Sequence, residues 1–259
     1  MRIFAVVIAP LLSHLLPLAE PLAQAREIQW GAELSTDAAL AAYSVGVARA
    51  APDSARESGA SFPTQALDDG AHQVFHGRNP APAVNSSNDR AWRTASNVSV
   101  VGAAAFPAVA ALGAYDDNTF GRILTTGHAL LMGNAAVTTL KVAVRRPRPS
   151  ARTARREDVT GDQALSFPSG HSSAAFSGAT LVSCFFPEAP LVVRGGAFAL
   201  AAFTAVARMA GNKHYLSDVV VGGGIGAGAA VLAHNLYENP ASSVSFGVAG
   251  HALTLAIRL

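Results

Sequence analysis

The sequence predicts an all-α fold: a helical bundle of five to six apolar helices, an irregular N-terminal segment, and a tail compatible with a small C-terminal hairpin. Three observations point there. Only 14% of the 259 residues are charged and 50% are apolar, whereas a soluble domain usually carries about 25% charge. From residue 98 onward, five long apolar segments succeed one another, at 98–115, 123–140, 172–187, 190–207 and 219–236. These segments are rich in Ala and Gly, and the last contains Gly222-x-x-x-Gly226 and Gly224-x-x-x-Gly228. Small residues four apart let helices approach closely in lipid.

Met1-Arg2, the apolar stretch 3–18 and Ala23-Gln24-Ala25 ahead of Arg26-Glu27 have the layout of a secretory signal peptide over 1–25. The other reading is an uncleaved first helix, although the apolar core is shorter than the ~20 residues a span needs. Either way, the chain beyond it is exported. Residues 26–97 are polar and are broken by Pro52, Gly59, Pro63, Gly70, Gly77, Pro80 and Pro82. They are expected to form an irregular extracytoplasmic segment with one short helix over 38–50. His72 and His76 are four apart but have no third ligand, so no metal site is expected there. Asn85-Ser86-Ser87 and Asn97-Val98-Ser99 match the glycosylation acceptor pattern, which is short enough to arise by chance.

The helical core is expected over 98–237. Four of its five apolar segments carry no Asp, Glu, Lys or Arg, and the fourth in order carries only Arg194. Each is near the lower length limit for a span. The single cysteine, Cys184, lies in an apolar run and reads as a small buried hydrophobe. In the tail, 238–259, alternation from Ala252 to Ile257 with Gly247 and Gly250 fits a hairpin. A net charge of +2 gives no global basic field, so no nucleic-acid partner is expected.

The positive charge is concentrated. Lys141, Arg145, Arg146, Arg148, Arg152, Arg155 and Arg156 are seven of the nineteen basic residues, with no acid among them. Basic residues beside apolar helices usually mark the cytoplasmic side, which conflicts with the export signal. An anion site explains the cluster better. Lys141 ends a helix that Pro147 must stop, and Arg148 sits between two prolines on a stiffened backbone. Lysine is a point charge and arginine a planar fork, a pair suited to phosphate.

Two more clusters fit the same purpose. In Ser166-Phe167-Pro168-Ser169-Gly170-His171, a helix starting near Ser169 offers unpaired first-turn N–H groups to an anion. Gly170 allows close backbone approach, Ser169 adds a hydroxyl, and His171 lies beside the anion. In the stretch 208–218, a helix capped near Asn212 puts His214 and Asp218 one turn apart. The carboxylate fixes one imidazole nitrogen and leaves the other free to attack, while Arg208 supplies a third cation. Blander readings stand beside these: a helix-start histidine at 171, and a structural Arg–Asp pair with a bystander His214.

Taken together, Lys141-x6-Arg148-Pro149, Pro168-Ser169-Gly170-His171 and Arg208-x5-His214-x3-Asp218 resemble the three-part signature of the type 2 phosphatidic acid phosphatase superfamily, over 98–236. That superfamily also holds bacterial class A acid phosphatases and vanadium haloperoxidases. The resemblance implies a helical core and phosphate ester hydrolysis without metal or cofactor. It implies His214 as the nucleophile that forms a phosphohistidine, Asp218 orienting it, and His171 as the general acid. Lys141, Arg148, Arg208, Ser169 and the Gly170 amide would hold the phosphoryl oxygens. The family usually has serine where this chain has Ala207, so reduced rather than abolished activity is expected. The expected protein is a lipid phosphatase of the inner membrane with its site facing the periplasm, acting on phosphatidate, phosphatidylglycerol phosphate or polyprenyl diphosphate. Alternatives with the same site are a soluble periplasmic acid phosphatase, a vanadium haloperoxidase, and a non-catalytic anion-binding membrane protein.

Overall fold

The computed structural model describes residues 30–50, 64–77, 87–151, 159–238, 243–249 and 252–258. Among them are seven α-helices: α1 (Trp30–Arg49), α2 (Gln65–His76), α3 (Ser87–Ala114), α4 (Thr119–Val144), α5 (Gly170–Phe185), α6 (Leu191–Ala210) and α7 (Leu216–Glu238). Short 3-10 turns occur at Pro149–Ala151 and Gly161–Ala164. Two antiparallel strands, β1 (Ser243–Ala249) and β2 (Ala252–Arg258), pair Ser243 with Arg258 and Ala249 with Ala252, so the tail forms the hairpin its alternation suggested.

All five apolar segments are helices, α3 to α7. Within 26–97 the described residues hold more helix than the one short helix expected over 38–50: α1, α2 and the start of α3. These helices escape apolar patterning because their inward contacts are polar. Asp37 and Glu33 of α1 reach the two ring nitrogens of the fully buried His128 on α4 at 2.5 and 3.5 Å. Asp68 and His72 are the buried residues of α2. The signal region, Asn85, and Arg152, Arg155 and Arg156 lie outside the described residues.

α5 is the central helix and touches α3, α4, α6 and α7. Its packing depends on small residues. Ala103, Ala175, Ala179, Ala197 and Ala201 form one buried cluster with Val182. Large apolar side chains point outward instead: Val98 and Val101 on α3, Leu191, Val192 and Phe203 on α6, and Val220 on α7 are all exposed. Small inside and large outside is the pattern of helices packed in lipid rather than in water. Among the described residues, α3, α6 and α7 are long and apolar enough to cross a membrane, with mean hydropathies of 1.6, 1.5 and 1.7. α5, at 16 residues, is shorter.

Two close approaches fix α5. Pro107 inside α3 has no N–H to offer the Ala103 carbonyl, and that carbonyl faces Gly178, where an added Cβ would lie 2.0 Å from the oxygen. On the other side, Cβ atoms at Gly222 and Gly226 would lie 2.3 and 1.9 Å from the carbonyl oxygens of Ser169 and Ser173. The second small-residue pair, Gly224 and Gly228, meets nothing within 4 Å. The contrast gives a test. Gly226→Ala forces α7 off α5 and is expected to cost about 1–3 kcal/mol, lowering the thermal midpoint by roughly 3–10 °C. Gly224→Ala should leave the midpoint unchanged or raise it slightly, as measured by thermal unfolding in detergent.

Candidate active site

The C-terminal end of α4, the N-terminal end of α5 and the α6–α7 turn come together at one end of the bundle. α4 stops at Arg145, which is left-handed (φ 49°) and returns its N–H to the Lys141 carbonyl at 2.9 Å. Lys141 stands in the last turn and donates to the Leu165 carbonyl at 2.6 Å. Burial, reinforced by the Arg148 charge, lowers its ammonium pKa to about 7.

Beyond the helix end the two arginines diverge. Arg148 is buried and donates through Nη1 to the Lys213 carbonyl at 2.9 Å and to His214 Nε2 at 3.1 Å. Its Nη2 meets Asp162 Oδ1 at 2.5 Å, and Lys213 Nζ lies 3.4 Å from the other oxygen of the same carboxylate. Burial opposes ionisation of Asp162, but Arg148 and Lys213 prevail and hold its carboxyl below the usual range. Arg146 takes a different route. It is buried, donates to Asp218 Oδ1 at 2.7 Å and to Asp68 Oδ2 at 2.8 Å, and lies 4.0 Å over the Tyr215 ring.

Ser169 caps α5, as its position predicted. Its hydroxyl, however, faces the helix: it accepts from the Ser172 N–H at 3.3 Å and from the Ser172 hydroxyl at 3.0 Å, and the residue is fully buried. The Ser169 N–H donates to the Asp218 carbonyl at 2.9 Å. Gly170 is the first residue of α5; a Cβ there would make only an ordinary 3.7 Å contact with Val137, so packing does not demand glycine. His171 Nε2 meets Asn97 Oδ1 of α3 at 2.8 Å. Since an amide oxygen only accepts, Nε2 carries the proton. Burial, then Arg208, Arg148 and Lys141, lower the His171 pKa to about 4.

The third cluster departs from expectation in one respect. Asn212 is left-handed (φ 58°) and α7 begins only at Leu216, so His214 precedes the helix rather than lying on it. Asp218, in the first turn, reaches back to accept the Tyr215 N–H at 2.9 Å, one half of a capping box. Its Oδ2 also accepts from the Ser166 hydroxyl and lies 3.5 Å from His214 Nδ1. Because a guanidinium only donates, the Arg148 contact makes His214 Nε2 an acceptor and places the ring proton on Nδ1, toward Asp218. Burial is the main cause of the His214 pKa near 3; Asp218 opposes it, and Arg148 and Lys141 add to it. Arg208 is buried, donates to Ser96 Oγ at 3.2 Å, and has an Nε with no hydrogen-bond partner among the described residues.

Every predicted site residue is thus at this end of the bundle, and all three clusters share one electrostatic neighbourhood. Over the segment that contains them, residues 122–241, the chain matches the model of the PAP2 superfamily. This segment belongs to the PAP2 superfamily. The PAP2 segment runs from the first turn of α4 through α7 and leaves α1, α2 and α3 outside. Within the chain, 66 residues are 35% identical to the lipid A 1-phosphatase of Porphyromonas gingivalis, covering 26% of this chain and 15% of that relative. Two solved structures are similar. LpxE of Aquifex aeolicus is 21% identical over 64% of this chain and 94% of its own, with a TM-score of 0.48. The transmembrane PAP2-type phosphatidylglycerolphosphate phosphatase of Bacillus subtilis is 15% identical over 79% and 96%, with a TM-score of 0.49.

Five residues around this candidate site were not singled out from the sequence as site residues: Asp68, Asn97, Arg146, Asp162 and Ser166. Arg146 carried a signal, its place in the basic run. Asn97 carried a misleading one, the glycosylation pattern; it stands in α3 and holds His171. His72 and His76 form a stacked pair at 4.6 Å and meet Asn212 Oδ1 and the Met209 carbonyl. Ala207, in place of the usual serine, is fully buried, and the neighbouring Arg208 takes its hydroxyl contact from Ser96 on α3.

Proposed function

We propose that this protein is a phosphatase acting on phosphate monoesters or diphosphates of membrane lipids, through a phosphohistidine on His214. One observation carries the reading: His214 lies between Arg148, 3.1 Å from its Nε2, and Asp218, 3.5 Å from its Nδ1, within reach of the charges that also act on His171. In this mechanism the phosphoryl oxygens draw the Arg148 fork off His214 Nε2 and occupy Arg208, Lys141 and the first-turn amides of α5, Gly170 among them. Nε2 then attacks phosphorus, the bond to the ester oxygen breaks, and His171 gives that oxygen its proton. Water attacks the phosphohistidine, His171 takes a proton back, and inorganic phosphate leaves. The fixed cations neutralise the charge that builds on the transferring group. Ser169 contributes as the cap that sets the α5 terminus.

The lipid assignment rests on the outward-facing Val, Leu and Phe side chains of α3, α6 and α7 and on the length of those helices. In this reading residues 98–237 are the catalytic core, residues 1–25 direct export, and the site opens on the periplasmic side of the inner membrane. A phosphate-release panel over lipid phosphates and one soluble ester tests it, in the presence of EDTA. Release should be fastest from lipid phosphates and unchanged by EDTA. The pH dependence of kcat/KM has a definite sign. The free enzyme needs His171 protonated, and its pKa near 4 makes that form scarcer as pH rises; above about 7 Lys141 also loses its charge. His214, with its pKa near 3, stays neutral throughout. Values of kcat/KM should therefore fall steadily from about pH 5 to about pH 8. No release from any substrate, or release abolished by EDTA, contradicts the proposal.

A further inference from the structure

We infer that Asp68, on α2 and outside the PAP2 segment, is a positioning residue for His214; the inference rests on the phosphatase reading above. Asp68 is 1% exposed. Its Oδ1 accepts the Ser217 N–H at 2.8 Å, and its Oδ2 accepts from the Ser217 hydroxyl at 2.8 Å, Arg146 Nη2 at 2.8 Å and the Thr64 hydroxyl at 2.9 Å. The Ser217 N–H belongs to the first turn of α7, where helical N–H groups have no partner within their own helix. Asp68 therefore caps α7 from another helix, one residue from Asp218.

The second link is charge. Arg146 divides its fork between two buried carboxylates, Nη2 to Asp68 and Nη1 to Asp218 and the Ser217 hydroxyl. Its plane is fixed by the Tyr215 ring. Removing the Asp68 charge takes away one of the two buried carboxylates that Arg146 meets at 2.7–2.8 Å, Asp68 and Asp218. The Arg146–Asp218 pair then tightens and turns, and the 3.5 Å approach of Asp218 Oδ2 to His214 Nδ1 changes. Interactions between such groups are strong because water is excluded. His72 and His76 add grip on the same turn through Asn212 and the Met209 carbonyl. Thus α2 holds the stretch that carries His214 from both sides.

The test is Asp68→Asn in the full-length protein, which keeps the shape and the acceptor for Ser217. Phosphate release and the His214 imidazole NMR resonance are measured together, with wild type and His214→Ala in parallel. The expected result is a kcat lowered about ten-fold or more, as for loss of a hydrogen bond between charged groups, with KM within about two-fold and a shifted imidazole resonance. Thr64→Val, which spares the charge, should stay within about two-fold of wild type in kcat. If Asp68→Asn does not fold, Ser217→Ala removes one hydroxyl from the same junction and should lower kcat about three-fold or more, again with KM unchanged. Active wild type with kcat and resonance both unmoved in the variant overturns the inference. So does a loss of activity confined to KM. Wild type inactive on every substrate, with the resonance still responding to Asp68→Asn, defeats the phosphatase reading and leaves the coupling between Asp68 and His214 standing.

Discussion

Replacing His214 with alanine is expected to lower phosphate release by at least about 10³-fold with the fold intact, since the proposed mechanism passes through a covalent intermediate on its Nε2. The site tolerates the loss structurally. Asp218 keeps Arg146, the Ser166 hydroxyl and the Tyr215 N–H, and Arg148 keeps the Lys213 carbonyl and Asp162. Thermal unfolding should accordingly show a small change, while kcat collapses. Activity within about ten-fold of wild type would remove His214 from the mechanism and with it the phosphohistidine.

Arg148→Ala should come second, with a loss of about 10²–10³-fold, the range seen when one donor to a developing oxyanion is removed. Three effects combine. The phosphoryl group loses a fork, His214 Nε2 loses the donor that fixes its tautomer, and Asp162 loses its main partner. Arg148→Lys separates charge from geometry: an ammonium restores the positive charge but cannot span the Lys213 carbonyl, His214 and Asp162 at once. It should recover only part of the loss, mostly in KM. Full recovery with lysine would mean that the planar fork has no role.

The sequence disclosed this site unevenly, and the reason is physical. Lys141, His171, Arg208 and Asp218 were legible because each lies at the end of an apolar run, where a charged or titratable residue stands out, and Arg148 and His214 because they stand in the short polar stretches beside those runs. Helices α3 to α7 were legible for the same reason. α1 and α2 were not, because what anchors them is polar and long-range: Asp37 to His128, Asp68 to Ser217. Periodicity reports apolar burial and is blind to a carboxylate that caps a helix 149 positions away. The hydroxyl of Ser169 was read as a ligand donor because local sequence does not say which way a cap residue turns.

The α5–α7 seam has a consequence for how this pocket can change. There the carbonyl oxygens of Ser169 and Ser173 rest directly on Gly222 and Gly226, main chain on main chain. No side chain separates the length of chain bearing His171 from the one bearing His214, so the two can part there only if the helices themselves move, as Gly226→Ala would force. Across from the seam the contacts are through side chains instead: Ser96 and Asn97 of α3 meet Arg208 and His171. Substitutions on α3 can therefore shift Arg208 and His171 one side chain at a time, whereas the α5–α7 seam yields only as a whole.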